Sequence, residues 1–512
     1  MRVGSPHSIA RATVFEWTCI PPVQSVLLRD TPQLKRRGDE SIVKRILVAN
    51  RGEIACRIIR AAKGLGIETI AVYSDADADS LHCEMADITV RIGAAPAAQS
   101  YLNVDAVLEA GLQHGAQGVH PGYGFLSENT AFARAAEKNG IAWIGPTPET
   151  IEDMGDKHRA RSIAESCGVP VLPGSRAFLP GESVELIVQE AARVGFPLLV
   201  KAAGGGGGIG MKLVDDPSAL VAAVASTQSQ ALKTFNDASV YLERYVPRAR
   251  HIEVQVFGYG DGSVVHLFER ECSVQRRFQK IIEESPAPNL PTQVLEKMFA
   301  AAVSLSAGQR YRGAGTVEFI LDASTDEFFF LEMNTRIQVE HGVTEATTGW
   351  DLVQSQILLA AGQLQPISQS AISRTGAAVE CRVYAENPQK NFLPSPGPLE
   401  RYAFPAALDG LRVDTGVRQG DSITPFYDPM IAKIITSGMN RSVALERMQE
   451  VLRMTEITGI RHNIDFLLQV LQHPQFVAGM VDTHFVERER QMLLSAPAPT
   501  PASGAPLART VA

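Results

Sequence analysis

Residues 332–341 read Glu-Met-Asn-Thr-Arg-Ile-Gln-Val-Glu-His, and polar residues occupy every even position from 332 to 340. In an extended strand, side chains on one face repeat every two residues, roughly 7 Å apart. The alternation therefore predicts one row of polar side chains on a single strand face. The row consists of Glu332, Asn334, Arg336, Gln338 and Glu340. Such a row can hold a cation and an anion together, although the solvated face of an edge strand produces the same pattern.

Two apolar, strand-like runs, 315–320 and 327–332, lie just before this row and are separated by a segment typical of a hairpin. Glu318 and Glu332 are symmetric about residue 325, so a turn centred there would place their carboxylates opposite each other. Facing carboxylates repel unless a positive charge lies between them. Mg²⁺ held by one or two carboxylates and by substrate phosphates is the usual occupant. The hairpin therefore predicts a nucleotide site.

The composition limits the class of protein. A chain of 512 residues with 45% hydrophobic residues is long enough for two to four domains. Its net charge of −8 argues against a general polyanion binder, so we expect no nucleic-acid partner. The six cysteines form no CxxC pair, which favours reduced structural thiols. We see no apolar run long enough to cross a bilayer and expect a cytoplasmic protein without membrane association.

The two ends of the chain differ from the rest in composition. Residues 1–41 contain three prolines in their second half and a basic cluster at 35–37, which predicts a disordered extension. A transit peptide or a misplaced start codon would explain the same composition. We also expect a disordered tail over 491–512, which is rich in Ala and Pro from Ser495 onward.

The segment from Lys44 to Tyr73 reads as a buried strand, a turn, an amphipathic helix and a second strand. This βαβ pattern predicts a parallel sheet in a Rossmann-like domain over 42–156. The turn at 50–52 lacks the GxGxxG spacing, so a dinucleotide site there is poorly supported. A second glycine-containing loop, His-Pro-Gly-Tyr-Gly-Phe-Leu-Ser-Glu-Asn at 120–129, leads into a helix predicted over 131–138.

A strand carrying Lys201 runs into five consecutive glycines at 204–208, followed by Ile209 and Gly210. Consecutive glycines let backbone amides approach phosphate oxygens closely, and the lysine adds a positive charge. A flexible linker would have the same composition. Strand-like runs at 196–200 and 211–214 favour a hairpin instead, and we predict a mobile lid over about 172–245.

Taken together, the motifs resemble the biotin carboxylase component of biotin-dependent carboxylases, an ATP-grasp enzyme, over roughly 43–490. The motifs are Ala-Asn-Arg-Gly-Glu-Ile-Ala (49–55), the 120–129 loop, Met-Gly-Asp-Lys (154–157), the glycine run, Gln-Arg-Arg-Phe-Gln-Lys (275–280), the 332–341 stretch and Glu-Cys-Arg (380–382). The resemblance implies a mixed α/β and α+β, multidomain fold: a Rossmann-like N-terminal domain, a central ATP-grasp domain (157–375) with a glycine-rich lid, and a C-terminal biotin carboxylase domain (376–490).

The resemblance also implies a role for each matching residue. Four residues would act in catalysis: Arg336, Glu340, Lys280 and Arg382. Bicarbonate and biotin would contact these four together with Gln338 and the backbone of Val339. Metal ligands would be Glu318, Glu332 and Asn334. The ATP site would contain Lys157, Lys201, Gly207, Gly208, Glu243, Arg244, Tyr245, Val246, His251, Gln275, Glu318 and Glu332.

In this scheme Glu340 removes the bicarbonate proton, Lys280 steadies the γ-phosphoryl group, and Arg382 stabilises negative charge on the biotin ureido oxygen. We further expect Arg336, two positions from Glu340 on the same face, to keep that base ionised. The implied cofactors are ATP and Mg²⁺ or Mn²⁺, with biotin on a separate carrier protein as the substrate.

The sequence departs from the family pattern at three positions. Phe278 replaces a histidine found near the nucleotide in several members, and Ile209 replaces an arginine usual in bacterial acetyl-CoA carboxylase subunits. Gly342 replaces a proline, from which we expect a looser backbone after Glu340. Ile209, with the stretches 384–388 and 426–430, looks closer to urea-carboxylase-type members. The final acceptor (acetyl-CoA, another acyl-CoA, pyruvate or urea) therefore stays open.

The chain carries neither a carboxyltransferase domain nor a biotinyl-lysine motif. We expect it to catalyse only the first half-reaction, in which ATP, bicarbonate and carrier-bound biotin give carboxybiotin, ADP and phosphate. The expected partners are a biotin carboxyl carrier protein and carboxyltransferase subunits, and we expect the chain to form a homodimer. Two alternatives remain: another ATP-grasp carboxylate or carbamate ligase, and a non-catalytic nucleotide-binding subunit. Neither would require Lys280, Arg336, Glu340 and Arg382 together.

Overall fold

The computed structural model describes residues 43–203, 210–235, 237–405 and 408–495. The predicted extension (1–41) lies outside these residues, as do 204–209, which include Gly207, Gly208 and Ile209. Among the described residues, no helix combines the length and the apolar character needed to span a bilayer.

The N-terminal segment confirms the predicted βαβ unit and extends it into a parallel sheet. Its elements are β1 (Arg45–Val48), α1 (Gly52–Gly64), β2 (Glu68–Ser74), α2 (Leu81–Met85), β3 (Ile88–Gly93), α3 (Val104–Gln113), β4 (Gly118–His120), α4 (Thr130–Lys138), β5 (Ala142–Trp143) and α5 (Pro148–Gly155). The strands lie in the order β3-β2-β1-β4-β5, and each neighbouring pair is parallel. This is the order of a Rossmann-like sheet.

The predicted lid contains a small antiparallel sheet with two helices. The elements from this point are α6 (Lys157–Ser166), α7 (Val184–Val194), β6 (Leu198–Ala202), β7 (Met211–Val214), α8 (Leu220–Phe235) and β8 (Val240–Arg244). β6 pairs with β7 on one side and with β8 on the other, so the strands flanking the glycine run form a hairpin, as predicted. Ile187, Val200 and Leu242 are among the residues of its separate apolar core.

The central segment continues with long antiparallel strands and the helices that cover them. The elements are β9 (Ala249–Tyr259), β10 (Val264–Arg276), β11 (Gln279–Ser285), α9 (Thr292–Gly308), β12 (Arg312–Asp322), β13 (Phe328–Asn334), α10 (His341–Thr348) and α11 (Leu352–Ala360). Along β9, Ile252, Val254 and Val256 enter a core with Met298 and Leu305 of α9. The alternate residues of β9 are polar, so this strand has one apolar face and one polar face.

The C-terminal segment adds three of its strands to the sheet of the central segment, and its other strands form two-stranded sheets. Its elements are β14 (Ala377–Tyr384), β15 (Glu386–Asn387), β16 (Leu393–Pro394), β17 (Gly397–Pro398), β18 (Arg401–Ala403), β19 (Leu411–Thr415), β20 (Ser422–Ile423), β21 (Met430–Gly438), α12 (Arg441–Met454), β22 (Glu456–Thr458), α13 (Ile464–Gln472), α14 (Pro474–Val477), α15 (Phe485–Arg488) and α16 (Arg490–Ser495).

Over the described residues, one eight-stranded sheet runs in the order β13-β12-β9-β10-β11-β14-β21-β19. The predicted boundary at 375/376 therefore falls between strands of a continuous sheet, through the pairing of β11 with β14. The domain boundaries themselves stay a prediction. The prediction of a disordered tail over 491–512 is wrong for 491–495, because α16 occupies these residues and Leu493 packs into the C-terminal core. Residues 496–512 lie outside the described residues.

The C-terminal segment approaches helix α1 of the N-terminal segment closely at Gly416. A Cβ atom built there would lie 2.3 Å from the carbonyl carbon of Gly52 and 2.4 Å from the amide nitrogen of Glu53. Both atoms belong to the first turn of α1, which cannot move aside as a side-chain tip could. The close packing of these two segments therefore requires glycine at position 416.

We expect Gly416→Ala to lower the free energy of unfolding by about 1–3 kcal/mol, because the added methyl group overpacks a rigid backbone contact. Gly155→Ala is the matched control, since a Cβ at Gly155 meets no atom within 4 Å. That control should be neutral or stabilising by about 0.5 kcal/mol. Urea denaturation of both variants checks this, and equal effects would contradict the close-approach argument.

Candidate active site

Lys280 on β11 lies at the centre of a buried group of carboxylates. Its ammonium nitrogen is 2.6 Å from Glu253 Oε2, 2.7 Å from Glu318 Oε1 and 2.8 Å from Glu340 Oε1. Burial disfavours the charged lysine, but the three carboxylates more than compensate and raise the pKa of Lys280 well above its usual value. Lys280 is therefore a fixed positive charge in contact with three carboxylates. Glu318 and Glu340 were predicted site residues, whereas Glu253 was not.

Glu318 and Glu332 are directly opposite each other on β12 and β13, as the symmetry about residue 325 predicts. Burial opposes ionisation of Glu318, yet the charge of Lys280 and the contact with His251 hold its pKa well below the usual range. Burial and the nearby charge of Glu318 raise the pKa of Glu332. Glu318 is thus anionic, and a cation beside the pair would relieve the repulsion that Glu332 experiences.

The oxygen atoms of this pair and of Asn334 suit a hard cation such as Mg²⁺. Asn334 ends β13; its amide nitrogen donates to Glu318 Oε1 at 2.8 Å, and its side-chain oxygen accepts from Arg336 at 2.8 Å. The predicted metal ligands are therefore adjacent in the structure, and they consist of carboxylate and amide groups only.

The prediction of a single extended row through Glu340 is wrong. β13 ends at Asn334, and the next residues form an irregular segment and a turn that lead into α10. The backbone there bonds outside the sheet: Thr335 N donates to Glu128 at 3.2 Å, and Val339 O accepts from Lys433 at 2.6 Å. Side chains from the turn nevertheless reach the carboxylate group, because Gln338 Nε2 donates to Glu318 at 2.7 Å.

Glu340, the predicted base, is held between two cations. Its Oε1 accepts from Lys280 at 2.8 Å and its Oε2 accepts from Arg382 at 2.9 Å. Burial would favour the neutral acid, but Lys280, Arg382 and Arg270 together hold the pKa of Glu340 well below its usual range. A carboxylate ionised in this way can accept a proton from a substrate that displaces one of its partners.

The expectation that Arg336 keeps Glu340 ionised is met only in part, because the two charges interact but Lys280, Arg382 and Arg270 act on Glu340 more strongly. Arg336 Nε donates to Glu128 Oε2 at 2.9 Å instead. The turn after Asn334 brings the guanidinium to Glu128 of the 120–129 loop. Arg336 thus lies at the edge of the site, with Glu128 of the N-terminal segment as its counter-charge.

Arg382 on β14 contacts a second carboxylate, Glu283 on β11. Its Nη2 lies 2.7 Å from Glu283 Oε1, but neither oxygen of Glu283 has a hydrogen-bond partner in the described residues. Burial raises the pKa of Glu283 to about 7, although the charge of Arg382 opposes this. Glu380 faces Glu283 across the strand pair, and its pKa is also raised by burial.

The sequence analysis missed several residues of this group. Glu253 on β9 and Arg270 on β10 are fully buried and paired, with Arg270 Nη2 also donating to Gln338 Oε1 at 2.7 Å. Cys272 is buried beside Glu253 and Glu340, and burial raises the pKa of its thiol well above the usual value. A signal was present for Glu253, because its side chain follows His251 by two positions on the polar face of β9.

The predicted nucleotide residues divide into two groups. His251 Nε2 lies 2.8 Å from Glu318, its Nδ1 accepts from Gln275 at 2.8 Å, and Lys157 acts electrostatically on Glu332. On the lid sheet, Lys201 donates to Glu243. These residues border the carboxylate group or form a charged pair on the lid.

The side chains of residues 244–246, at the end of β8 and just after it, have different protein partners. The Arg244 guanidinium lies near Gly195, and the Tyr245 hydroxyl is 3.1 Å from His484 Nε2. Val246 packs in a small apolar cluster with Leu172. The assignment of these three residues to a nucleotide site stays a prediction.

Two departures from the family pattern have a structural description. Phe278 occupies the two-residue turn between β10 and β11 with φ of 64°, and it is 72% exposed. Gly342 lies inside α10 and has no positive φ, so the expected loosening after Glu340 is not found. A Cβ at Gly342 would instead lie 2.3 Å from Ile435 Cδ1 of β21. Glycine there allows α10 to pack closely on the sheet.

We expect Glu283→Gln to stabilise the protein more at pH 8 than at pH 5. The pKa of Glu283 rises from about 4.5 unfolded to about 7 folded. The folded state therefore binds the extra proton between these values, and stability falls as pH rises through that window. The full effect is on the order of 3 kcal/mol. Thermal unfolding of both proteins at pH 5, 6, 7 and 8 checks this; a constant difference would contradict it.

Three family profiles match the chain. "Biotin carboxylase, N-terminal domain" matches residues 42–151, "Carbamoyl-phosphate synthase L chain, ATP binding domain" matches 156–367, and "Biotin carboxylase C-terminal domain" matches 380–488. Together they account for most of the described residues, including every strand of the eight-stranded sheet except the first part of β14.

Two curated relatives illustrate the similarity. Methylcrotonoyl-CoA carboxylase subunit alpha, mitochondrial, of Glycine max is 48% identical over 451 residues, which are 88% of this chain and 61% of that protein. The chain thus spans less than two thirds of that relative. Biotin carboxylase 1 of Bacillus subtilis is 46% identical over 446 residues, which are 87% of this chain and 98% of that protein.

Solved structures agree in fold. The biotin carboxylase domain dimer of Hydrogenobacter thermophilus 2-oxoglutarate carboxylase, in complex with MgADP, ADP and bicarbonate, has a TM-score of 0.81 and 42% identity over 89% of this chain and 99% of that one. Urea carboxylase of Kluyveromyces lactis is less similar, with a TM-score of 0.71 and 37% identity over 87% of this chain and 32% of that one. With its sheet order, its buried carboxylate group and these matches, the chain belongs to the biotin carboxylase family.

Proposed function

We propose that this chain catalyses the ATP-dependent carboxylation of carrier-bound biotin by bicarbonate. The observation that carries the proposal is the position of Glu340, an ionised carboxylate between Lys280 and Arg382. The same Lys280 also binds Glu318 of the predicted metal site. A base, an anion-stabilising guanidinium and an acidic metal site are thereby brought together. The curated relatives of similar length are named biotin carboxylases, which supports the same reaction.

In the first step, an oxygen of bicarbonate attacks the γ-phosphorus of ATP and the bond to ADP breaks, which gives carboxyphosphate. Glu340 accepts the bicarbonate proton, because Lys280 and Arg382 keep it ionised until a substrate arrives. Lys280 is the residue best placed to stabilise the transferring phosphoryl group, since phosphoryl transfer requires positive charge at the developing negative oxygens.

Bicarbonate needs donors that match a planar anion, and a guanidinium provides two parallel hydrogen bonds. Arg336 is the proposed partner, together with Gln338 and the backbone of Val339. To bind bicarbonate, Arg336 exchanges at least part of its contact with Glu128 for the substrate. In the second step the carboxyl group passes from carboxyphosphate to the biotin ureido nitrogen. Its bond to phosphate breaks, and the released phosphate takes up the ureido N–H proton. Arg382 stabilises the charge on the ureido oxygen.

We assign the nucleotide to the space between the lid sheet and the carboxylate group. Lys157, Lys201, His251 and Gln275 are proposed to contact it, as are Gly207 and Gly208, which lie outside the described residues. Glu318, Glu332 and Asn334 would hold Mg²⁺, or Mn²⁺, which when bound neutralises charge on the β- and γ-phosphates. A relative bound to MgADP supports the choice of magnesium.

The proposed partners are a biotin carboxyl carrier protein and carboxyltransferase subunits, with a homodimer as the assembly of this chain. The dimer named for the Hydrogenobacter domain supports the last point. We propose a cytoplasmic location. For the final acceptor we favour an acyl-CoA, because the methylcrotonoyl-CoA carboxylase subunit is more similar to this chain than the urea carboxylase is.

The test is the release of ADP by the purified chain with Mg²⁺, measured with and without bicarbonate and free biotin. We expect release to require both, and Glu340→Gln and Arg336→Ala to lower kcat/KM by about 100-fold or more, since each removes a group that contacts the reacting atoms. Arg401→Ala is the matched control, because Arg401 on β18 forms an exposed pair with Glu456 on β22, in a separate two-stranded sheet.

Release that ignores biotin would favour another ATP-grasp ligase. Binding of ATP without turnover would favour a non-catalytic nucleotide-binding subunit. Either result would overturn the proposed function.

A further inference from the structure

The turn that precedes Glu340 is held by two buried side chains that the reaction scheme does not use. Lys433 on β21 is 0% exposed, and its Nζ donates to the carbonyl oxygen of Val339 at 2.6 Å. His341, at the start of α10, is also 0% exposed, and its Nδ1 lies 2.7 Å from the carbonyl oxygen of Gln338. The two contacts fall on consecutive peptide groups.

Because the peptide bond is planar, a contact that fixes a carbonyl group also fixes the amide group of the same peptide. In a trans peptide the C=O and N–H point in opposite directions, so fixing one fixes the other. The carbonyl of Gln338 belongs to the peptide whose N–H is that of Val339. The carbonyl of Val339 belongs to the peptide whose N–H is that of Glu340. His341 and Lys433 therefore set the directions of two amide groups beside the proposed base.

His341 can act in this way only as a donor through Nδ1, because a carbonyl oxygen cannot donate. Burial and the charge of Lys433 lower the pKa of His341 to about 3, so the ring is neutral and carries one proton. That proton is on Nδ1, and Nε2 has no hydrogen-bond partner in the described residues. A neutral, buried donor with one partner is well suited to orient that partner.

Lys433 is a costly residue to bury, and the surrounding charges explain how it is kept. Its Nζ lies 3.3 Å from Glu53 Oε1 and 3.8 Å from Asp414 Oδ2. Glu53 in turn accepts a hydrogen bond from the Tyr123 hydroxyl of the 120–129 loop. A buried ammonium supported by α1 and β19 thus has its closest contact on a backbone carbonyl of the turn.

We infer that His341 and Lys433 are positioning residues that orient the Val339 and Glu340 amide groups for the bicarbonate anion. The inference rests on the function proposed above and adds two residues to it that do not touch the substrate themselves. One side chain from β21 and one from α10, each on a different carbonyl, leave the two peptide planes little freedom to rotate.

The first test uses a pair of variants at His341. His341→Leu removes the donor, whereas His341→Asn keeps an amide N–H at nearly the position of Nδ1. We expect the leucine variant to raise the KM for bicarbonate about tenfold, because an orienting hydrogen bond is lost, with the KM for ATP within about twofold of wild type. The asparagine variant should recover most of the affinity for bicarbonate.

The second test removes the ammonium of Lys433. Lys433→Met alone leaves Glu53 unpaired and buried, so the double variant Lys433→Met/Glu53→Gln removes that charge as well. It should show the same selective increase in the KM for bicarbonate. Arg441→Met is the matched control, because Arg441 forms a partly buried pair with Glu284 at 2.6 Å and binds the Phe476 carbonyl, and none of its hydrogen bonds in the described residues involves the turn.

Initial rates of ADP release against bicarbonate and ATP concentration give both KM values, and each variant is first checked for nucleotide binding. Equal increases in both KM values, an asparagine variant as impaired as the leucine one, or the same selective effect in Arg441→Met would overturn the positioning role. Wild-type protein with no bicarbonate-dependent release would instead contradict the proposed function, which keeps the two failures separate.

Discussion

The fold around the site depends on the burial of Lys280 among three carboxylates. A buried ion is expensive unless it is paired and hydrogen-bonded, and an unequal number of buried charges is more expensive still. The three carboxylates of Glu253, Glu318 and Glu340 outnumber the single ammonium of Lys280. Arg270 and Arg382 supply the further positive charges that balance them. Removing one member would leave the others uncompensated, so the group behaves as a unit.

The eight-stranded sheet is what brings these charges together. Glu253 comes from β9, Arg270 from β10, Lys280 from β11 and Arg382 from β14, and these strands are neighbours in that order. Because side chains alternate across a sheet, the same strands direct Ile252, Val254 and Ile282 into apolar cores. One face of the sheet thus holds the charges, and packing on the other fixes the spacing between them.

Local patterns in the sequence predicted the parts of the site that depend on neighbouring residues. The Glu318–Glu332 register followed from the symmetry of one hairpin, and the parallel N-terminal sheet followed from one βαβ unit. The counter-charges of Glu340 did not follow, because Lys280 and Arg382 are 60 and 42 positions away and the sheet order alone brings them close. Likewise, Arg336 alternates with Glu340 in sequence, but the turn directs it to Glu128.

The end of β13 at Asn334 explains why the most informative stretch was only partly predicted. Amide groups that pair in the ladder of a sheet are not available to an anion. After β13 the chain leaves the sheet, and its carbonyls at Gln338 and Val339 are taken by His341 and Lys433. Backbone donors that are oriented in advance cost no reorganisation when a negative charge arrives. The alternating pattern of 332–340 therefore combines a strand that places carboxylates with a turn suited to an anion, and only the tertiary contacts separate the two.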